Sequence, residues 1–443
     1  MSDEYELLYE ADLAVIGGGS AGTLAAISAA RKGVDVLLVE SQSALGGSRT
    51  VMGVDTFYGY FSPGDRTSRV IGGITYEIVE RLFDRSAAFL RPNTFGAGTG
   101  VTYDLEMLKM LLEEMVIEAG AKLLYHSFVP EVLMDDNNID GVLVSNKAGL
   151  RKVKADFVID ATGDADVAAR AGASIELAGV GELPVQSLST IFYLGNVDNE
   201  RAFSLSQSER TKLMEDADAS GEYKLTRIGG SIHPTPHPGL IHANLTRIRN
   251  VNAIDPVALT NAEIEGRRQA HEYARFLINE HPGFEDAYLA MTASYIGVRE
   301  TRRLIGEYVL TGEDVIAGRH FEDAIACCAA PIEDHHAGKD VRWQYIEGDG
   351  YYQIPYRSLL PKEVDNLIVA GRCLSATHEA QASARNSAQC MAMGEAAGVA
   401  ASIALSVDIH PSDVDVSQLR SALLDQDVIF DPIPIDISEL QNG

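Results

Sequence analysis

The stretch from Asp12 to Glu40 limits what this chain can fold into more than any other. Residues 12–17, Asp-Leu-Ala-Val-Ile-Gly, form an apolar run without alternation, the pattern of a strand buried on both faces of a parallel sheet. It runs directly into Gly17-Gly18-Gly19-Ser20-Ala21-Gly22 and then an Ala-rich, Pro-free stretch ending at Gly33, which predicts a helix with a glycine C-cap. Val34–Val39 reads as a second buried strand and ends on Glu40. Each part has a mechanical task in a dinucleotide site. Gly17 permits the tight turn, Gly19 lets backbone approach a pyrophosphate, and Gly22 lets the helix pack closely on the strand. The phosphates then meet the helix N-terminus, where free N–H groups and the dipole favour negative charge. Glu40, 18 residues after Gly22, is placed to accept hydrogen bonds from ribose hydroxyls.

The organisation beyond residue 40 argues for FAD over NAD. A second glycine turn, Gly46-Gly47-Ser48, stands where a simple NAD domain would begin another helix. An apolar face at helical spacing covers 104–119, and hairpin-like runs follow around 135–138 and 146–149. Asp156–Asp160 is another buried strand and leads into Ala161-Thr162-Gly163. Far downstream, Asn366–Gly371 is one more, followed by an Ala/Gly-rich helix over roughly 388–405. The expected architecture is α/β, with a Rossmann-like FAD-binding domain assembled from both chain ends (1–173 and 361–443). An inserted α+β substrate domain takes up 174–360.

The net charge of −28, from 64 acidic against 36 basic residues, argues against nucleic acid or an anionic membrane as partner. Four cysteines without a CxxC pair predict neither a disulfide scaffold nor an iron–sulfur or zinc-ribbon site. The chain opens with Asp3, Glu4 and Glu6, so no secretory leader is expected, and no apolar run approaches 18 uninterrupted residues. A cytoplasmic location is the expectation, with a homo-oligomer among the alternatives.

With these motifs in view, the sequence resembles the FAD-dependent oxidoreductase family of the glutathione-reductase-like flavoprotein superfamily, often given a xanthan-lyase-like label. The resemblance covers nearly the whole chain. Besides Gly17–Gly22, it is carried by Ala-Thr-Gly-Asp-Ala-Asp-Val-Ala-Ala-Arg-Ala-Gly-Ala at 161–173 and Ala-Glu-Ile-Glu-Gly-Arg at 262–267. Gly-Val-Arg-Glu-Thr-Arg-Arg at 297–303, Ile-Pro-Tyr-Arg at 354–357 and Val-Ala-Gly-Arg-Cys-Leu-Ser-Ala-Thr-His-Glu-Ala at 369–380 complete it. It implies Gly17, Gly19, Ala21 and Gly22 at the pyrophosphate, Glu40 at the adenosine ribose, and Gly47 and Ser48 along the ribityl side. Val129 would read adenine through its backbone, Thr162 and Gly163 would flank the nucleotide, and Gly371 and Arg372 would adjoin the pyrophosphate and ribityl chain. Ala388, Gln389 and Cys390 would aim helix N-terminal N–H groups at the flavin pyrimidine ring, where reduced flavin is anionic. Related flavin subunits carry cluster-binding cysteines that this chain lacks.

In the inserted segment, 186–194 reads as strand and 200–220 as a polar helix. Thr260 with Glu263 reads as a capping box opening a helix over 260–279. Gly229–Gly239 is proline-rich and cannot be a central strand. His233, His237 and His242 lie close in sequence here, but i, i+4 spacing aligns ligands only on a helix, so a solvated loop is expected. Glu333-Asp334-His335-His336 has metal-ligand chemistry, yet adjacent residues on a strand or turn point apart; no metal centre is expected. Gly96–Gly100 lacks a preceding buried strand and reads as a plain loop, so no dedicated NAD(P)H domain is marked.

A flavin performs its own redox chemistry, and the protein positions substrate and moves protons. His378, six residues past Arg372, is the candidate base, and Arg385 and Arg299 are candidate anchors for a small polar substrate, an anionic one among the alternatives. Arg302 and Arg303 are expected to pair with acids. The leading expectation is a dehydrogenase or oxidase taking hydride onto flavin N5. The alternatives are an NAD(P)H-dependent flavin reductase or monooxygenase, and a flavoprotein subunit of a larger complex.

Overall fold

The structure is a computed structural model that describes residues 5–63, 67–93, 98–335, 341–348 and 350–437. Strand β1 (Leu7–Ile16), helix α1 (Ser20–Arg31) and β2 (Val36–Val39) realise the opening motif, and Gly33 adopts φ +87° just past the helix as a glycine stop should. Helix α2 (Gly73–Asp84) and helix α3 (Leu105–Ala119) follow, then β3 (Lys122–Leu124). Strands β4 (Phe128–Asp135), β5 (Asn138–Asn146) and β6 (Gly149–Asp160) form the two expected hairpins.

The seven-stranded sheet has the order β3-β2-β1-β6-β5-β4, and β11 (Leu367–Val369) pairs in parallel with the far end of β6. The sheet therefore takes strands from both chain ends. Leu13, Val15, Leu24, Ile27, Leu37 and Leu38 are fully buried, each contributing about 1.5–3 kcal/mol.

The middle of the chain builds a second layer. Strands β7 (Phe192–Gly195), β8 (Ser231–Pro234), β9 (Ile241–Asn244) and β10 (Tyr288–Thr292) form an antiparallel sheet ordered β8-β9-β7-β10. Helix α4 (Pro256–Glu280) covers it, giving a separate core of Phe192, Leu194, Ile241, Tyr273, Phe276 and Phe284. Pro234 sits on an edge strand, where a missing N–H costs no ladder bond. Two element boundaries differ from expectation. The polar helix starts at Gln207, after a short turn at Asn199–Ala202. Helix α4 starts at Pro256, because Asp255 accepts from Val257 N and Ala258 N while proline takes the first helical position. Thr260 lies inside it and donates to Pro256 O at 2.7 Å. Cys327, Cys328, Tyr352 and Ile354 pack into the main core, so the stretch before 361 is not separated from the nucleotide-binding part by packing.

Helix α5 (His378–Ala384) leads to α6 (Ser387–Val407), which is long and apolar enough to cross a membrane but lies buried against α1. The approach is so close that a Cβ on Gly394 or Gly398 would overlap the carbonyl oxygens of Ala21 or Ala25. Glu395 of α6 reaches the first turn of α2, accepting from Ile74 N at 3.1 Å, Thr75 N at 3.3 Å and Thr75 Oγ1 at 3.2 Å. Burial outweighs these donors and pushes its pKa up to about 7. A raised carboxyl pKa contributes stability that is complete below the unfolded value and is lost as pH rises through 7, about 3 kcal/mol in all. Thermal unfolding should therefore show wild type more stable than Glu395→Gln at pH 5, with the gap closing by pH 8. A pH-independent difference would refute this.

Candidate functional site

One cavity of about 590 Å³ runs from the glycine turn after β1 to the second layer. At its first end Gly17, at φ +98°, makes the turn; a Cβ there would lie 2.6 Å from Ala161 O. Gly19 caps α1 without a side-chain bond and has open space where a Cβ would be. Gly17, Gly19, Ser20 and Ala21 all line the cavity, so an uncapped helix N-terminus faces it. Glu40, buried, accepts from Gly18 N at 2.6 Å on one carboxylate oxygen and from Gln42 N at 2.7 Å on the other, and the residue is part of the cavity wall. Gly46 N donates to Gly18 O at 2.8 Å, bringing Gly47 and Ser48 alongside.

From the other strands, Val129, Thr162, Gly163, Gly371 and Arg372 join the lining. Asp160 fixes the loop after β6, accepting from Thr162 N and Oγ1 on one oxygen and Val167 N and Ala168 N on the other. Arg372 donates to Asp164 Oδ1 at 2.7 Å. The start of α6 departs from expectation. Asn386, Ser387 and Cys390 line the cavity, whereas Ala388 and Gln389 do not. Helical rotation turns those two away: Ala388 N donates to Tyr58 O at 3.5 Å, and Gln389 Nε2 donates to Gly59 O at 2.9 Å. Cys390 N is committed to Asn386 O within the helix.

The far end of the cavity is rich in guanidinium. Arg49, Arg91, Arg299 and Arg385 line it against two carboxylates, Asp55 and Glu333. Arg299 Nη1 donates to Ser187 O and to Ser189 Oγ at 2.9 Å; burial and the neighbouring Arg385 pull its pKa down to about 9. Arg385 donates to Glu333 O at 3.2 Å and keeps a buried Nε without partner. Arg302 pairs with Asp166, and Arg303 with Glu300 and Glu176, as expected of them.

His378 is placed differently from the expectation that made it a base. It opens α5, is 5% exposed, and is absent from the cavity lining. Its Nδ1 lies 2.8 Å from Glu300 Oε2 and its Nε2 3.2 Å from Asp334 Oδ1. Burial lowers its pKa, but hydrogen bonds to Asp334 and Glu300 and their charges outweigh burial and lift it to about 9. With a carboxylate on each ring nitrogen and no place in the cavity lining, the geometry favours a buried counter-ion over the expected base.

The histidine group on the β8–β9 hairpin divides. His237 is exposed and pairs with Asp104 at 2.7 Å. His233 and His242 are direct cross-strand partners, stacked with ring centroids 4.2 Å apart, and both line the cavity with Asp55. The solvated-loop expectation fails for these two because a hairpin, unlike a loop, puts opposed residues on one face. A hairpin register across Pro-Thr-Pro-His-Pro-Gly was the available signal. Of the tetrad at 333–336, Asp334 and Glu333 do point apart, Glu333 pairing with His335 at 2.9 Å; His336 lies outside the described residues. So do Gly96 and Ala97 of the 96–100 stretch, whose Thr99 and Gly100 open the strand Thr99–Tyr103.

A family model described as FAD dependent oxidoreductase matches residues 12–423, and the chain belongs to that family. It is an FAD-dependent enzyme. A thiamine thiazole synthase from Methanococcus vannielii is 30% identical over 172 residues, 36% of this chain and 59% of that protein. A digeranylgeranylglycerophospholipid reductase from Methanospirillum hungatei is 29% identical over 160 residues, 35% of this chain and 38% of that protein. The chain thus spans less than two thirds of the length of these curated relatives. A solved geranylgeranyl bacteriochlorophyll reductase-like protein from Thermoplasma acidophilum gives a TM-score of 0.49 at 14% identity, covering 95% of this chain and 84% of that one.

The residues present fit FAD. The uncapped N-terminus of α1, the open space at Gly19 and the buried Glu40 carboxylate supply, in order along one wall, what a pyrophosphate and a ribose require.

Proposed function

We propose that this enzyme is a dehydrogenase or oxidase acting on a small anionic substrate. FAD, when bound, supplies the hydride acceptor at its N5. One observation carries the substrate class: four guanidinium groups against two carboxylates at one end of the cofactor cavity, in a chain whose net charge is −28. Arginine presents a planar fork that matches a carboxylate, and a low-dielectric wall strengthens the match. Arg299, already held by Ser187 and Ser189, needs little further ordering to receive such a group. Gly17, Gly19, Ala21 and Gly22 would hold the cofactor's phosphates, Glu40 its ribose, and Ser387 and Cys390 would lie toward the ring end.

The test is anaerobic mixing of the yellow protein with 2-hydroxy acids, amino acids and NAD(P)H, followed at the flavin band. Bleaching by an organic acid and indifference to nicotinamide is the expected result; fast bleaching by NADH or NADPH alone would overturn it. Arg299→Ala should raise KM for that acid about ten- to hundredfold, the worth of a charge-assisted hydrogen bond, with FAD content unchanged. An unaltered KM would remove Arg299 from the anchor role.

A further inference from the structure

The trio Asp55, His233 and His242 has more lone pairs than the protein uses. Asp55 follows the second glycine turn, and His233 on β8 and His242 on β9 face each other on one hairpin, so two distant segments converge on one buried point. All three side chains are nine-tenths buried or more and line the cavity. His233 Nε2 donates to Asp55 Oδ1 at 2.8 Å, and His242 Nε2 lies 3.7 Å from the same oxygen. Four buried atoms are left without a hydrogen-bond partner: Asp55 Oδ2, His233 Nδ1, and both ring nitrogens of His242. A neutral imidazole has one lone pair, so His233 Nδ1 and one ring nitrogen of His242 are orphaned acceptors beside Asp55 Oδ2. Buried polar groups in native proteins are satisfied, and a concentration of orphaned acceptors calls for an electron-pair acceptor.

We propose that Asp55, His233 and His242 bind a divalent first-row transition metal ion, of the zinc or iron(II) class, facing the flavin cavity. Two imidazoles and one carboxylate suit such ions better than magnesium or calcium, which prefer oxygen. Metal bonds of roughly 2.1 Å place ligand atoms about 3.0–3.4 Å apart. Ligand atoms here all lie within 4.8 Å of one another, so small side-chain turns close the site. The Arg91 guanidinium bonds Thr56, Thr102 and Pro92 O, which leaves the Asp55 carboxylate available. Three protein ligands leave coordination positions open, and the lining places them toward the cavity, where an oxygen of an anionic substrate could take one. Metal binding itself does not depend on the substrate reading above.

The FAD-loaded protein is stripped with chelator, incubated with Zn²⁺ or, anaerobically, Fe²⁺, desalted, and analysed by elemental mass spectrometry. About one ion per chain is expected, falling below about a tenth in Asp55→Asn and His242→Ala. His237→Ala, exposed on the same hairpin, should keep about one ion per chain under the same site chemistry. Flavin absorbance reports the retained cofactor, and with it the folded cofactor site, independently of the metal assay, so loss of metal with FAD retained is unambiguous. X-ray absorption of the zinc-loaded unmodified protein, independent of any variant, should show two imidazoles on the ion. Failure of either ion to bind the unmodified chain, retention of full metal by both variants, or a coordination shell without imidazole would overturn the proposal.

Discussion

Gly22→Ala should yield a protein that does not retain FAD through desalting, its visible flavin band falling at least about tenfold as the helix packing and pyrophosphate contacts built by these glycines are lost. The Cβ would overlap the carbonyl oxygen of Gly17 and touch Ala161 Cβ at 3.0 Å. Neither neighbour can yield cheaply. Gly17 N is bonded to Val39 O at 2.8 Å, and Gly18 is held by Glu40 and Gly46. Behind α1, Gly394 and Gly398 of α6 leave no room for the helix to retreat. The displacement must therefore fall on the N–H groups at the cavity wall. Gly33→Ala is the control: Gly33, unlike the helical Gly22, has positive φ but no atom within 4 Å of the added carbon, and the change costs about 1 kcal/mol without touching the cavity. Equal flavin content in both variants would show that the close approach at Gly22 does not set the cofactor site.

That contrast also shows why the cofactor half was legible in the sequence. The demands on Gly17 and Gly22 are local: turn, helix and strand lie within thirty residues, and each residue type has one mechanical reason to be there. The return of β11 and α6 could be read for the same reason, since an unalternating apolar run and an Ala/Gly-rich helix both state how closely they pack. Boundaries set by competing signals were not. Thr260 with Glu263 has a capping pattern, but Asp255-Pro256 upstream offers both a capping carboxylate and a residue suited to the first helical position, and it wins.

The substrate end was less legible because it is assembled through tertiary pairing. Arg49, Asp55 and Arg91 come from the segment after the glycine turns, His233 and His242 from an edge hairpin, and Glu333 and His335 from a stretch nearly a hundred residues later. No spacing rule links them. Arg299 and Arg385, which line the cavity, stand out in the sequence because a guanidinium beside a glycine or near a flavin strand is unusual in so acidic a chain. For His378 the sequence gives no view of what surrounds it. Proximity to the β11 loop follows from sequence, but the carboxylates of Glu300 and Asp334 arrive from elements 78 and 44 residues away.

His378→Ala provides the second large effect, and its sign separates the two roles. A base would be missed in the rate of flavin reduction, with the fold unchanged. A buried counter-ion is missed in stability: Glu300 and Asp334, 0% and 3% exposed, lose the cation lying between them, at about 3–5 kcal/mol. The pH dependence gives an independent check. The imidazolium's pKa is raised from 6.5 to about 9, so its stabilisation is complete below pH 6.5 and is lost as pH rises through 9. The melting temperature of His378→Ala should lie several degrees below wild type at pH 6, in line with that loss, and the gap should narrow toward pH 9.5. Flavin content and the rate of reduction at a temperature where both proteins are folded should change little. A variant that melts like wild type at pH 6 yet is reduced a hundredfold more slowly would return His378 to the chemistry.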